Sequence, residues 1–286
     1  MTKISFEFFP PKTMKEAFRL SRAVAHLAPF SPAFASVTYG AGGQTRQFTH
    51  DAVTAIGGTY GVNVAAHMTC VGASRAETMA VAQAYGDAGV REIVALRGDP
   101  PAGQRAFAPH PDGFANACEL TAALAETGRF TIRTTAYPDG HPETQSTGDD
   151  LDWLRAKLDA GASSAITQFF FEADSFLRFR DRAAAAGISA PILPGILPVT
   201  NWANIQRFAA RCGMGVPANV AAGWARAVRD NRARLYAVAQ CATMCEALRR
   251  EGVEHLHFFT LNQPELTRDV LLALGHEADQ PQAAVA

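Results

Sequence analysis

The strongest constraint on the fold is the regular alternation of short apolar runs with helical stretches along nearly all 286 residues. Such alternation argues for a parallel sheet whose strands are joined by crossover helices. Eight strands close a (β/α)8 TIM barrel, which needs about 250 residues. We therefore predict an α/β fold, a single-domain (β/α)8 TIM barrel over residues 1–276, followed by a flexible tail at 277–286. The eight predicted strands are residues 4–9, 34–39, 62–67, 92–96, 131–136, 165–169, 192–196 and 254–259.

Helical patterns fill the intervals between these runs. Ser74, followed three residues later by Glu77, has the form of a capping box at a helix start. An open doubly wound sheet could use the same alternation, but it usually carries a glycine-rich turn after its first strand. Here that position holds 10–12 (PPK). The predicted helices are 14–27, 49–60, 74–86, 114–127, 150–160, 174–186, 202–211, 231–251 and 263–274, with 217–227 left open as a further helix.

Composition narrows the classes of function. Hydrophobic residues make up 48% and charged residues 19%, which suits a globular protein with a large core. The formal net charge of −1 gives no reason to expect nucleic acid or a charged membrane surface as a partner. No apolar run approaches the roughly 20 residues that cross a bilayer, and the N-terminus lacks a signal-peptide layout, so we expect a cytoplasmic protein. The five cysteines form neither CxxC pairs nor a disulfide framework.

Five polar side chains stand at or just past the downstream ends of apolar runs. In a barrel of parallel strands, these ends meet at one rim, where catalytic side chains converge. Residues scattered along the chain are therefore predicted to form one site. They are Glu7, Thr38, His67, Asp99 and Gln168.

Glu7 lies between Phe6 and Phe8 in the first run. Strand alternation puts Ser5, Glu7 and Phe9 on one face, which can point into a barrel. Loss of water would raise the pKa of the carboxyl toward a value that suits a general acid. The alternative is a strand-end glutamate paired with a basic residue at the surface.

Two further motifs suit a flat, polar ligand. In 97–99 (RGD), glycine permits close approach of the backbone, and Asp99 can place negative charge beside a developing cation. Gln168 followed by 169–171 (FFF) combines one amide with three aromatic rings, a composition that suits a stacked heteroaromatic ligand. An ordinary turn and an ordinary core are the alternatives for these two motifs.

A metal-dependent lyase or hydrolase on the same barrel is a second hypothesis. His67, Asp99, His141 and Glu143 are the candidate ligands, although no His-x-His or His-Glu-x-x-His spacing is present. We predict no metal.

Eight stretches, in order along the chain, resemble the methylenetetrahydrofolate reductase family in its bacterial, catalytic-domain-only form. Each stretch is short, but their common order makes the set specific. The stretches are 5–11 (SFEFFPP), 36–40 (SVTYG), 66–70 (AHMTC), 95–99 (ALRGD), 136–138 (AYP) with 141–143 (HPE), 165–171 (AITQFFF), 194–199 (PGILPV) and 257–262 (HFFTLN).

The resemblance implies FAD at the barrel rim, reduced by NADH, with NADPH left open as the donor. Methylenetetrahydrofolate then accepts hydride to give methyltetrahydrofolate. Glu7 is implied as the general acid for ring opening and Asp99 as a catalytic group near flavin and folate, while Gln168 and Phe208 contact substrate. The implied flavin contacts are Thr38, Tyr39, Ala41, His67, Arg97, Gly98, Asp99, Tyr137, His141, Asp150 and Lys157.

The chain departs from a well-known bacterial relative at several of these positions. On the helix before Lys157, that relative carries Asn and Arg where this chain has Trp153 and Ala156. Gln263 stands where that relative has an arginine, so it becomes the candidate contact for the acidic tail of the folate. The family tendency to oligomers implies a homo-oligomer. A non-catalytic flavin or folate carrier is the third hypothesis, and the presence of Glu7 and Asp99 argues against it.

Overall fold

Eight parallel strands form a closed barrel in a computed structural model that describes residues 2–39, 43–100, 106–144, 146–199 and 201–279. Neighbouring strands pair in chain order, and β8 pairs with β1 through Lys3 opposite His255, which closes the cylinder. The predicted TIM barrel is therefore confirmed. The strands are β1 (Lys3–Phe8), β2 (Phe34–Val37), β3 (Val64–Thr69), β4 (Glu92–Leu96), β5 (Thr131–Ala136), β6 (Ser164–Phe169), β7 (Ile192–Ile196) and β8 (His255–Phe259).

Helices follow the strands as predicted, with shifts at some ends. The second helix begins at Gly43 rather than at 49, and the segment left open at 217–227 is a helix. The capping box of Ser74 and Glu77 is present. No helix in the described ranges combines the length and apolarity of a membrane span. The helices are α1 (Met14–Leu27), α2 (Gly43–Tyr60), α3 (Arg75–Asp87), α4 (Ala117–Glu126), α5 (Thr147–Asp159), α6 (Ala173–Ala185), α7 (Trp202–Arg211), α8 (Ala218–Arg229), α9 (Ala233–Arg250) and α10 (Pro264–Ala273).

Strand β3 corrects the predicted position of His67. The predicted strand ended at this residue, whereas β3 continues to Thr69, which pairs with Leu96 of β4. His67 therefore lies inside the strand. Because side chains alternate along a strand, His67 points to the face that Ala65 and Thr69 share, and its ring is buried.

The core has a shell outside the barrel and a smaller cluster inside it. Phe6 and Phe8 of β1 are buried in the shell between the strands and the helices. Burial of each such side chain contributes about 1.5–3 kcal/mol to folding. The apolar cluster inside the barrel takes one residue from each of five strands, and these inward side chains fill the cylinder. Its members are Phe34, Ala65, Val94, Ile166 and Leu193.

Candidate active site

A cavity of about 960 Å³ opens at the carboxyl ends of the strands. Ala41 lies outside the described residues. Gln263 is exposed just before α10 and is not among the lining residues, so its contact with substrate stays a prediction. The structure brings the other predicted site residues to this cavity, while their roles stay predictions. They are Glu7, Thr38, Tyr39, His67, Arg97, Gly98, Asp99, Tyr137, His141, Asp150, Lys157, Gln168 and Phe208.

Glu7 lies on the barrel axis with only 16% of its side chain exposed. Its Oε2 is 3.5 Å from Nε2 of His67 and 3.9 Å from Nε2 of His257, beyond good hydrogen-bond distances. Burial raises the pKa of Glu7, although His67 opposes that rise. Glu7 faces two histidines inside the barrel, so the alternative prediction, an ion pair with a basic residue at the surface, is wrong.

The histidines beside Glu7 are held in the neutral form. Burial lowers the pKa of His67 to about 4 and that of His257 to about 3. Both Nε2 atoms are buried, and neither has a hydrogen-bond partner among the described residues. Because burial favours the neutral ring of His67, the support that this ring gives to the carboxylate form of Glu7 is weakened, and desolvation remains the largest influence on the pKa of Glu7.

Hydrogen bonds through Ser5 link His257 to His255 and hold the ring of His257 in place. Ser5 Oγ lies 2.8 Å from Nδ1 of His257 and 2.9 Å from Nε2 of His255. Since the serine hydroxyl carries one proton, it donates to one ring and accepts from the other. The sequence did contain a signal for these hydrogen bonds. Ser5 and Glu7 are two residues apart on β1, as His255 and His257 are on β8, so each pair shares one face of its strand. Our sequence analysis did not assign these histidines.

Gly98 allows Arg97 and Asp99 to line the same cavity. Its φ of +87° is in the left-handed region, and a Cβ there would lie 2.6 Å from Cγ2 of Val71 and 2.9 Å from Cβ of Thr69. A larger residue would strain the backbone and clash with the end of β3. The backbone at this glycine therefore makes its close approach to Val71 and Thr69 of the protein itself.

Arg97 joins two loops across the mouth of the cavity. Its Nη1 and Nη2 atoms donate to the two carboxylate oxygens of Glu143 at 2.5 and 2.9 Å, and its guanidinium lies 5.0 Å from the ring centroid of Phe107. Bidentate geometry of this kind is among the stronger ionic contacts. The hydrogen bonds from Arg97 lower the pKa of Glu143. From the sequence we named Glu143 only as a candidate metal ligand and did not predict its pairing with Arg97.

Asp150 and Lys157 place charged groups at the α5 end of the cavity. Asp150 accepts hydrogen bonds from the backbone N–H of His141 at 3.2 Å and from Oγ1 of Thr144 at 3.1 Å, so it braces the loop after β5. Lys157 Nζ donates to the carbonyl of Thr135. Burial lowers the pKa of Lys157 to about 8. Tyr137 packs edge-on against His141, with ring centroids 4.7 Å apart.

Gln168 and Phe208 form the wall nearest β6 and α7. The pairing of β6 with β7 is irregular between Ile166 and Phe169, and such irregularities re-aim side chains. Gln168 Oε1 accepts from the N–H of Phe169 at 3.0 Å, which orients the amide. Phe208 stacks on Phe169, with centroids 5.5 Å apart and planes 15° apart. A flat ligand could lie against this pair.

The candidate metal ligands do not form a ligand cluster. Among the residues that the structure describes, no three His, Cys, Asp or Glu side chains are grouped so that they could hold an ion. His67 faces Glu7, whereas His141 Nδ1 accepts from the N–H of Glu143 at 3.1 Å. The geometry gives the lyase or hydrolase hypothesis no coordination site in this part of the chain.

The matching family model and the relatives similar in sequence agree on one family. The family model for methylenetetrahydrofolate reductase matches residues 1–275. The 5,10-methylenetetrahydrofolate reductase of Pectobacterium carotovorum subsp. carotovorum is 42% identical over 278 residues, which cover 96% of this chain and 91% of that protein. Arabidopsis thaliana methylenetetrahydrofolate reductase (NADH) 1 is 32% identical over 287 residues, which cover 96% of this chain and 48% of that protein.

One solved structure shows the same fold at low sequence identity. It is an uncharacterized protein from Clostridium thermocellum that binds two copies of 5-methyl-5,6,7,8-tetrahydrofolic acid. The two chains superpose with a TM-score of 0.59 at 12% identity, over 96% of this chain and 94% of that one. At this identity the likeness extends to the fold alone.

Proposed function

Because the chain belongs to the methylenetetrahydrofolate reductase family, we propose that it reduces methylenetetrahydrofolate to methyltetrahydrofolate, with FAD as resident cofactor and NADH as electron donor. Family membership makes the protein an oxidoreductase of one-carbon metabolism. The observation that carries the proposal is the placement of Glu7, with its raised pKa, in one cavity with Asp99 and Gln168. The name of the Arabidopsis thaliana relative supports NADH as donor.

The residues at the cavity fit FAD. The cavity of about 960 Å³ can hold a ligand of dinucleotide size. Arg97 and Lys157 supply cationic donors for a diphosphate, and the buried Nε2 of His67 has no partner among the described residues. Tyr137 and His141 add ring surface. When bound, FAD would supply a two-electron carrier between NADH and the one-carbon group of the folate.

Glu7 would act as the proton donor to the folate. Its raised pKa keeps a proton on the carboxyl at a pH where an exposed glutamate has lost it. Transfer of that proton to a ring nitrogen of methylenetetrahydrofolate breaks a carbon–nitrogen bond and leaves an iminium cation on the one-carbon unit. The resulting carboxylate stays beside neutral His67 and His257, so it readily regains a proton for the next turnover.

Asp99, Gln168 and Phe208 would bind the folate and stabilise its cationic form. The carboxylate of Asp99 places negative charge at the rim, where it lowers the energy of the iminium cation. The amide of Gln168 can read the edge of the pterin ring, and the stacked rings of Phe169 and Phe208 can cover its face.

Spectroscopy of the purified protein tests the proposal. We expect a yellow protein with a flavin spectrum that bleaches when NADH is added under argon. The spectrum should then recover when methylenetetrahydrofolate is added, with one methyltetrahydrofolate formed per flavin. A colourless protein that takes up no FAD would overturn the proposal. A comparison of the rates at which NADH and NADPH bleach the flavin would decide which donor is preferred.

The homo-oligomer implied by the family resemblance is also part of this proposal. Analytical ultracentrifugation of the flavin-loaded protein would measure the subunit count. A single species at the 30.5 kDa mass of one chain would contradict it.

A further inference from the structure

Trp153 is a large apolar ring that the fold leaves exposed at the cavity. Its relative exposure is 49%, and it lies on α5 among the residues that line the cavity. The other two tryptophans pack in the apolar cluster of α7–α9, where Trp202 and Trp224 stack with centroids 5.1 Å apart. An exposed tryptophan on the wall of a deep cavity forgoes the burial that its size favours.

The neighbours of Trp153 on α5 show which way its ring faces. Asp150 is three residues before it and Lys157 four residues after it, and residues at these spacings share one face of a helix. Both neighbours are buried and line the cavity. The helix thus presents one aromatic ring between two polar groups that contact the ligand space.

The polar groups at this end each make a contact within the protein, although Arg97 and Lys157 have further N–H donors to offer a ligand. The carboxylate of Asp150 accepts from the loop after β5, Lys157 Nζ donates to Thr135, and Arg97 pairs with Glu143. The surface that α5 adds to the cavity wall at Trp153 is apolar and flat. The ligand part that suits it is an uncharged heteroaromatic ring.

The barrel topology indicates which end of the cofactor reaches Trp153. Glu7 lies on β1, whereas α5 follows β5, four strands away around the closed barrel and outside it. The redox ring must lie near Glu7, because the proton and the hydride go to the same folate. The end of the cofactor farthest from that ring is therefore the part that can extend to α5.

We propose that Trp153 is the stacking platform for the adenine ring of FAD, and that it makes the protein prefer FAD over FMN. The inference rests on the proposed flavin dependence of the enzyme. FMN lacks the adenosine half, so it should gain nothing from the tryptophan.

Calorimetric titration of the flavin-free protein with FAD and with FMN tests this role. W153A should bind FAD about 5- to 150-fold more weakly, the range expected for loss of one base–aromatic stack. Its affinity for FMN should stay within about twofold, and W153F should retain most of the FAD affinity. The matched control is F18A, since Phe18 is 71% exposed on α1 and does not line the cavity.

The outcomes separate the two proposals. If the unmodified protein binds neither flavin, both the proposed cofactor and the role of Trp153 are wrong. If it binds FAD but W153A weakens FAD and FMN equally, or weakens neither, only the role of Trp153 is wrong. A changed KM for NADH with an unchanged Kd for FAD would assign the tryptophan to the other dinucleotide and overturn the proposal.

A fragment experiment covers the case in which W153A does not fold. AMP, the half of FAD that FMN lacks, should compete with FAD for the unmodified flavin-free protein but should not displace FMN. AMP should also quench tryptophan fluorescence in the unmodified protein and not in W153F. Equal quenching in both proteins would overturn the stacking role.

Discussion

The two ends of the cavity hold their ionisable groups in opposite ways. At the barrel axis, Glu7, His67 and His257 are buried without a fully charged partner. Burial raises the pKa of Glu7 and lowers those of the two histidines, so the neutral form of each group is favoured. At the α5 end, Arg97 and Glu143 form a bidentate ion pair that favours both charges. Desolvation thus controls the axial end. Near α5, direct pairing keeps Arg97 and Glu143 charged, although burial there lowers the pKa of Lys157.

This difference suits two separate tasks. A proton donor needs a carboxyl that stays protonated, and a water-poor barrel interior achieves this. A binding site for an anionic cofactor needs lasting positive charge, which paired and hydrogen-bonded groups retain. The comparison predicts that substitutions at the axis change chemistry and acid stability, whereas those near α5 change binding.

The largest effect is expected from Glu7→Gln. Loss of the proton donor should slow the folate half-reaction by about 10²–10⁴-fold, because general acid catalysis typically contributes that much. Flavin reduction by NADH should be unchanged. In the unmodified enzyme, folate reduction should slow as the pH rises through the raised pKa of Glu7, and this pH dependence should vanish in the variant.

Single-turnover kinetics of each half-reaction would measure this effect. Glu16→Gln is the control, since Glu16 lies in the first turn of α1, away from the cavity. Equal losses in the two half-reactions would mean that Glu7 supports the site as a whole and is not the acid.

The second effect concerns acid stability at the axis. The pKa of His67 is about 4 in the folded protein and 6.5 for the free side chain, so between these values the unfolded chain binds the proton. Stability is therefore lost as the pH falls from 6.5 through 4, by about 3 kcal/mol from this residue. In His67→Gln, the loss of unfolding free energy between pH 6.5 and pH 4 should be smaller than in the unmodified protein by about 3 kcal/mol.

Urea unfolding at a series of pH values would measure this difference. His26→Gln on the exposed face of α1 should keep the acid dependence of the unmodified protein. If His67→Gln lost stability with acid as steeply as the unmodified protein, burial of a neutral His67 would not be the cause.

At the α5 end, Lys157→Met should weaken binding and leave the chemistry intact. A hydrogen bond to a charged group is worth about 1.5–3 kcal/mol, so the Kd for FAD should rise about 10- to 150-fold. At saturating FAD, both half-reactions should stay near their normal rates. Fluorescence titration measures the Kd, and Lys15→Met on the exposed face of α1 is the control. A slow folate half-reaction in the saturated variant would erase the contrast between the two ends.

The smallest effect is expected from Glu143→Gln. Because the Arg97–Glu143 pair is partly exposed, its loss should lower the unfolding free energy by less than about 1 kcal/mol. Release of Arg97 should tighten FAD binding by up to about fivefold. Thermal melts and FAD titrations would measure both, with Glu265→Gln as a matched control that breaks the exposed Arg22–Glu265 pair. Weaker FAD binding would mean that Glu143 holds Arg97 ready for the cofactor.

Much of the barrel could be predicted because its signals are local. The alternation of apolar runs and helical stretches, the glycines at helix ends and the capping box at Ser74 depend on neighbours in sequence. Strand β3 was misplaced by two residues, since its pairing with β4 determines where it ends. The irregularity that orients Gln168 likewise depends on how β6 pairs with β7.

By itself, the sequence determined the fold class, the family and the set of polar residues at the strand ends. Tertiary structure alone decided the state of those residues: that His67 and His257 flank Glu7, that Arg97 pairs with Glu143, and that Trp153 faces the cavity. The reason is that strand and helix formation follow short-range periodicity, whereas desolvation and charge pairing depend on groups that only barrel closure brings together.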